Sequence, residues 1–533
     1  MTKKTGTGKK LTMLAFYALT VAMVMDLHEY PLFATSGLSL IFFLVVGGVL
    51  WFLPASLCSA EMATVEDWES GGVYVWVKNT LGELWGFAAV FFQWLQVTVG
   101  FIAMLYFILG AISSVIGVPA LNTNPLLKCA GVVVLFWIIT FIQFGGARIT
   151  ERIGDIGSIV GIIIPTVVLL SLTVWYLVSG GHSQVAPATR SLIPDFTKPA
   201  TLVVFISFIL SYMGVEASAS YANDLDNPKR NYPLAMILVV VSAIALNTIG
   251  GMAVALTTPV SRLSLNNGIV QALTALFAHA GVYAHWAANL VALLIAVGVT
   301  AEVAGWVIGP ARGIYMAAQQ GLLPPVLRKA NRRDVPVVLV LIQGGVVTIW
   351  AIVLTLFGGG GTNLSFQIAI SLTVVIYAVT YFLLFAGYFK LVFKLSGLKR
   401  KYQIPGGKVG KSLVAGIGLI ATIAAFGITF VPPSTVSGAQ GVSYLVILIA
   451  GFLVCLALPF VLYSLRNKSA HTSIVGPAPL PASEVRRLAR PALRGQHEVR
   501  PAPEDYLRTK RQVVRKMKRK VAKYLRDISV RKH

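Results

Sequence analysis

Runs of about twenty apolar residues recur along almost the whole of this chain, and that repetition limits its fold more than any other feature. An α-helix rises ~1.5 Å per residue, so about twenty residues cross the ~30 Å hydrocarbon layer of a bilayer. In lipid every backbone polar group must find its partner within the protein, which leaves only helices and closed barrels. The runs here are continuous rather than alternating, and this excludes a barrel. Composition agrees: 56% of the 533 residues are hydrophobic and only 12% charged, whereas soluble domains keep about a quarter charged. The chain is therefore expected to be an all-α integral membrane protein.

Spans fall near residues 11–33, 38–60, 86–115, 126–145, 154–178, 200–222, 232–257, 286–311, 335–356, 364–389, 411–431 and 442–465. This gives twelve transmembrane helices, with 72–85 as a short interfacial helix and 263–283 as a helical loop. Residues 1–10 are expected to form an N-terminal segment, 11–465 the twelve-span domain and 466–533 a basic tail. The first apolar run is long enough to span and has no small-residue cleavage site, so no signal peptide is expected. With both termini inside, 40 of the 44 Lys and Arg residues fall on the inner side, leaving Lys128, Arg190, Lys198 and Arg262 outside. By the positive-inside rule both termini are expected in the cytoplasm, in a cytoplasmic (inner) membrane. The net charge of +24 is thus a record of topology, and no nucleic-acid partner is implied.

Ionisable residues at membrane depth are expensive, so they mark candidate sites. Asp26-Leu27-His28-Glu29-Tyr30-Pro31 lies within the first apolar run. Pro31 removes a backbone donor and disfavours helix at Tyr30, so this span should break here and expose half-helix ends to a substrate. Glu29 as a simple helix cap, and His28 as a histidine satisfied within the bundle, are the alternatives. Ser211-Tyr212-Met213-Gly214-Val215-Glu216-Ala217-Ser218 interrupts the sixth span in the same way. The alternative is that Glu216 pairs with a basic neighbour. Interruptions one five-span unit apart are what a five-plus-five inverted repeat requires, with repeat one at about 11–178, repeat two at about 200–389 and two extra spans over 411–465. Glu302 and Trp306, four apart in the eighth span, share a helical face, as do Tyr377 and Tyr381 in the tenth. The alternative for Glu302 and Trp306 is a glutamate turned into the bundle beside a packing tryptophan, and two tyrosines at helical spacing are usually packing. Glu61, at the inner end of the second span, is assigned a structural role.

Enzymatic readings fail on their motifs. His28-Glu29 has no second zinc-binding histidine, and the glycine run 358–361 has no following Lys-Ser/Thr. Cys58, Cys129 and Cys455 are odd in number and far apart, so neither a disulfide framework nor a metal site is expected. No catalytic residue and no cofactor is implied. A channel would present rings of one residue type.

The runs Glu29-Tyr30-Pro31, Tyr212 to Ser218, Asn227-Pro228, Asn231 to Met236, Ala301-Glu302, Gly309-Pro310, Arg312-Gly313 and Ile404 to Lys408 carry a resemblance. In order and spacing, over about residues 11–465, they are similar to the glutamate/γ-aminobutyrate antiporter family of the amino acid–polyamine–organocation superfamily. The resemblance implies twelve spans, inverted repeats around a central site, and exchange of external glutamate for internal γ-aminobutyrate in acid resistance. It implies a functional link to a cytoplasmic decarboxylase. It also implies substrate contacts at Tyr30, Glu216, Glu302, Trp306, Tyr377 and Tyr381. Two carboxylates isolated at depth make protonation a candidate gate at acidic pH.

The chain departs from the family pattern at Asp26 and His28, where relatives have a small apolar and an aromatic residue. Asp26, His28 and Glu29 are therefore candidates for pH sensing or substrate selectivity. The readings left open are an exchanger of another amino acid with its decarboxylated amine, and a transporter-like amino-acid sensor. In the tail, 466–503 is rich in Pro, Arg and Ala and contains His471 and His497; the resemblance implies that it can plug the cytoplasmic mouth. Over 504–532, Leu507, Val514, Met517, Val521, Leu525 and Ile528 form one apolar face among Lys and Arg. Such a helix is suited to anionic lipid headgroups, a plug or a partner protein.

Overall fold

The computed structural model describes residues 11–466, except 25–26, 67, 69–71, 186–190, 199–201, 220, 223–224, 282–283, 334, 359–361, 434–435 and 437. The chain divides into two units, Met1–Ile474 and Val475–His533, and every described residue belongs to the first. The expectations for Asp26, for residues 1–10 and for the tail beyond Arg466 lie outside the described residues.

Ten helices among the described residues are long and apolar enough to cross a membrane. In chain order the elements are α1 (Met13–Val24), α2 (Tyr30–Ala34), α3 (Ser39–Ala63), α4 (Gly72–Leu81), α5 (Glu83–Val115) and α6 (Pro125–Gln143). Then come α7 (Arg152–Val178), α8 (Phe205–Leu210), α9 (Val215–Ala219), α10 (Pro228–Thr257) and α11 (Gly268–His279). The last are α12 (Ala284–Gln319), α13 (Val337–Leu356), α14 (Thr362–Phe393), α15 (Gly407–Thr429) and α16 (Ala439–Ser464). The segments expected as first and sixth spans are the two missing from the ten: each is in two short pieces, α1 with α2 and α8 with α9. Two isolated β-bridges, Leu11 with Leu225 and Val65 with Arg400, are the only extended pairing among the described residues.

The apolar window of α5 is 89% buried and that of α14 83%, against 28% for α15 and 17% for α16. With helices apolar on all faces, burial rather than composition separates the centre from the lipid face. α5 and α14 pack on each other and form the middle, α12 closes against α5, and α15 and α16 lie at the periphery. On α6 the apolar side chains Val134, Ile138 and Phe141 are exposed at helical spacing, a face suited to acyl chains.

Close helix approach depends on missing side chains. Gly161, in the π-helical stretch Gly157–Ile163 of α7, meets Gly298 of α12: a Cβ on Gly161 would lie 2.2 Å from the Gly298 backbone. Without a hydrophobic drive between helices in lipid, such backbone-to-backbone packing is a main source of association. A second anchor is ionic. Glu61, wholly buried at the end of α3, contacts Lys411 Nζ at 2.6 Å and Arg400 Nε at 3.2 Å. It also accepts from the Tyr388 hydroxyl and the Ile404 N–H, each at 2.8 Å. The cluster ties the connection between α14 and α15 to the end of α3.

Candidate functional site

Both interruptions have local causes. In the sixth segment the chain turns through Ser211–Gly214, and Gly214 adopts φ +99°, which a side chain strongly disfavours. In the first, α1 ends at Val24 and a 3-10 turn over Leu27–Glu29 leads into α2. Pro31 sits in the first turn of α2 rather than in the interruption. That is where proline costs least, because its missing N–H would have had no helical acceptor. Glu29 occupies the position before α2 but makes no side-chain cap bond, so the simple capping alternative is set aside.

Glu216 is the centre of the arrangement. It lies in α9 just beyond the Gly214 turn and is 1% exposed. Gln93 of α5 donates to its Oε1 at 2.7 Å, and the Tyr377 hydroxyl of α14 donates to the same oxygen. The Tyr381 hydroxyl donates to Oε2 and accepts the Gly214 N–H at 3.0 Å. No ion pair of Glu216 occurs among the described residues, so the alternative of a basic partner is also set aside. An isolated buried carboxylate is costly unless its lone pairs are engaged, and three charge-assisted donors do this here. The spacing of Tyr377 and Tyr381 places both hydroxyls on one carboxylate, with ring centroids 5.2 Å apart.

Two cavities adjoin this cradle. The larger, about 690 Å³, is lined by Gln93, Glu216, Tyr74 and one face of α12. That face carries Glu302, Gly305, Trp306, Gly309, Arg312 and Met316, with Gly305, Gly309 and Arg312 exposed. The smaller, about 60 Å³, is lined by His28, Glu29, Gln96, Glu302, Trp306, Thr373 and Tyr377 together with apolar groups. Glu302 and Trp306 border both, so they stand between the two spaces. The Trp306 ring also covers the Gly214 turn, 3.1 Å from where a Cβ would project. Near the wide cavity, Tyr74 and Lys78 of α4 each donate to Gln320 Oε1 at 2.6 Å. Burial, and then the Glu83 carboxylate, push the Tyr74 phenol well above its usual range.

The structure thus brings together Glu216, Tyr377 and Tyr381 by direct bonds, and places Glu302, Trp306, His28 and Glu29 around the adjoining spaces. Tyr30 stands apart. Its ring is buried against Gly250 of α10, where a Cβ would lie 2.1 Å away, and it lines neither cavity. Gln93 and Gln96 were not singled out from the sequence. Two amides within a run as apolar as α5 are a readable signal of the same kind as the carboxylates. Among the described residues no cluster of His, Cys, Asp or Glu is arranged to hold a metal ion.

Comparison with known proteins accords with this geometry. The glutamate/gamma-aminobutyrate antiporter of Lactococcus lactis subsp. lactis is 51% identical over 500 residues, covering 94% of this chain and 99% of that protein. Its counterpart in Lactococcus lactis subsp. cremoris matches to the same extent. An uncharacterized transporter of Legionella pneumophila is 30% identical over 453 residues, 85% of this chain and 96% of its own length. Residues 11–452 match the amino acid permease family as a whole, and the broken helices, the buried carboxylate and the adjoining vestibule all lie within that stretch. This chain is a membrane transporter of the amino acid permease family.

Proposed function

We propose that the protein is an antiporter that takes up glutamate in exchange for internal γ-aminobutyrate. The observation that carries this reading is the Glu216 cradle opening on a vestibule of about 690 Å³, within the range of small-molecule sites. It occurs in a chain 51% identical over 94% of its length to proteins named for that exchange. Of the four lone-pair positions of the Glu216 carboxylate, three are engaged, which leaves one for a substrate ammonium. Arg312 lies ten residues along α12 from Glu302, about 15 Å at ~1.5 Å per residue. The vestibule therefore has carboxylates at its deep end and a guanidinium further out, a polarity suited to a zwitterion.

In this reading the chain has twelve spans and two inverted repeats, with both termini and the vestibule mouth facing the cytoplasm. The positive-inside distribution and the presence of Lys78 and Arg312 on the vestibule side support that orientation. Glu216, Glu302, Trp306, Tyr377 and Tyr381 line the substrate path, and Tyr30 braces the broken first helix. Asp26, His28 and Glu29 tune pH response or selectivity. The tail engages anionic lipid or the cytoplasmic mouth, and a cytoplasmic decarboxylase regenerates the internal amine. His28 and Glu29, bordering the small chamber, favour a second reading in which another amino acid exchanges for its decarboxylated amine.

The test is uptake of labelled glutamate by proteoliposomes loaded with γ-aminobutyrate or left empty, at pH 5.5 and 7.5. Uptake that needs the internal amine and weakens at the higher pH is expected. Uptake supported only by another amino acid and its amine would move the assignment to the second reading.

A further inference from the structure

We infer that the small chamber bordered by His28, Glu29 and Glu302 is a proton-binding site, separate from the space that takes the amino acid. Its size argues first. A cavity of about 60 Å³ has room for roughly four to six water molecules at ~10–15 Å³ each. Ligand pockets for small organic molecules run to about 300–1,000 Å³. The vestibule falls within that range and the chamber far below it, so the two spaces suit different ligands.

The lining argues second. Around so small a space stand one imidazole, two carboxylates and the polar groups of Gln96, Thr373 and Tyr377. His28 is 5% exposed and Glu29 1%, so these groups are withdrawn from bulk water. Histidine is the side chain that changes charge most readily between pH 5 and 8. His28 sits on the 3-10 turn that interrupts the first span, with its ring tilted against Phe107 of α5 at a centroid distance of 6.5 Å. Among the described residues, the titratable groups on the elements packed about it are Glu29 on its own turn, Tyr30 on α2, Glu302 on α12 and Tyr377 on α14. The contribution of α5 to the chamber wall, from Gln96 to Met104, carries none. One basic and two acidic groups therefore border the chamber, and uptake of a single proton raises its net charge by one unit.

The connection argues third. Glu302 and Trp306 border both spaces, so Glu302 is the titratable group common to them. A proton from vestibule water passes to the Glu302 carboxylate and from there to the His28 imidazole, and it leaves by the same carboxylate. Trp306 keeps the amino acid out of the chamber and rests on the Gly214 turn, so the occupied chamber is in contact with both interruptions of the helices. The inference deepens the exchange reading and rests on it only for its transport readout.

The test uses the purified full-length protein and two readouts. In proteoliposomes loaded with γ-aminobutyrate and a trapped pH dye, proton movement is measured per labelled glutamate taken up. His28→Gln is expected to lower that ratio at least twofold and to flatten the dependence of uptake on pH between 5.5 and 7.5. An unchanged ratio and pH profile in an exchanging H28Q protein overturns the proposal. The second readout needs no substrate: the tryptophan emission difference between the wild type and Trp306→Phe, titrated from pH 5 to 8. H28Q is expected to abolish its pH dependence, and a difference that still titrates in H28Q overturns the proposal even if the substrate pair is another. Absence of glutamate uptake by the wild type, with a tryptophan signal that H28Q abolishes, removes the substrate assignment and leaves the proton site standing.

Discussion

Replacing Gly214 by alanine adds one methyl group at the point where the sixth segment turns. At φ +99° the backbone lies where a side chain is strained, at a cost of order 1–3 kcal/mol. The new Cβ would stand 3.1 Å from the Trp306 ring and 3.9 Å from the Tyr377 hydroxyl, and overpacking of this kind costs about 1–3 kcal/mol more. Together that is about 2–6 kcal/mol, or a shift of at least roughly thirtyfold in the folded population at ~1.4 kcal/mol per decade. The same change at Gly305, on α12 beside Trp306 but with nothing within 4 Å of its Cβ position, is the control for stability. There the substitution is expected to be neutral or stabilising by about 0.5–1 kcal/mol, since alanine is the better helix former. Apparent unfolding free energy by denaturing-detergent titration in mixed micelles, together with uptake in proteoliposomes, reads both variants. A G214A protein within about 1 kcal/mol of wild type, with normal uptake, would refute the argument that this turn is held open by the absence of a side chain.

Further consequences follow from the buried contacts. Tyr381→Phe should cost more than Tyr377→Phe, because it removes a donor to Glu216 and also leaves the Gly214 N–H without its acceptor; each loss is about 1–3 kcal/mol, readable by the same titration. Glu61→Gln leaves Arg400 and Lys411 buried without their carboxylate, and about 3–5 kcal/mol of stability should disappear, seen as a lowered midpoint of thermal aggregation. Gly161→Ala would drive a methyl group into the Gly298 backbone, so the yield of monodisperse protein on size exclusion should fall sharply. Gly416→Ala, with open space at its Cβ, should leave that yield unchanged.

Much of this architecture was legible in the amino acids because lipid allows so few alternatives. Ten of the expected spans correspond to continuous apolar helices. The two that do not are those whose polar residues and Gly or Pro argued for interruption. The position of the first interruption was less legible: proline next to a predicted break reads as its cause, yet here it opens the following helix. Glu216, Tyr377 and Tyr381 were readable as separate candidates. Their union on one carboxylate depends on α9 and α14 meeting in space, which spacing within either segment does not specify. Gln93 and Gln96 carry a readable signal as two amides in an apolar run, but that Gln93 is the one bonded to Glu216 depends on α5 and α9 meeting in space. Tyr30 lies beside His28 and Glu29 in sequence, yet its ring packs on Gly250 of α10, a direction that adjacency in sequence does not specify.

If the Glu216 carboxylate holds substrate, its loss must suppress exchange in a protein that still folds. Wild type and Glu216→Gln are reconstituted at equal amounts, and labelled glutamate uptake into vesicles loaded with γ-aminobutyrate is measured at pH 5.5. At least a tenfold loss is expected in E216Q, with the protein still folded by detergent titration. An E216Q protein that exchanges at the wild-type rate would contradict that role.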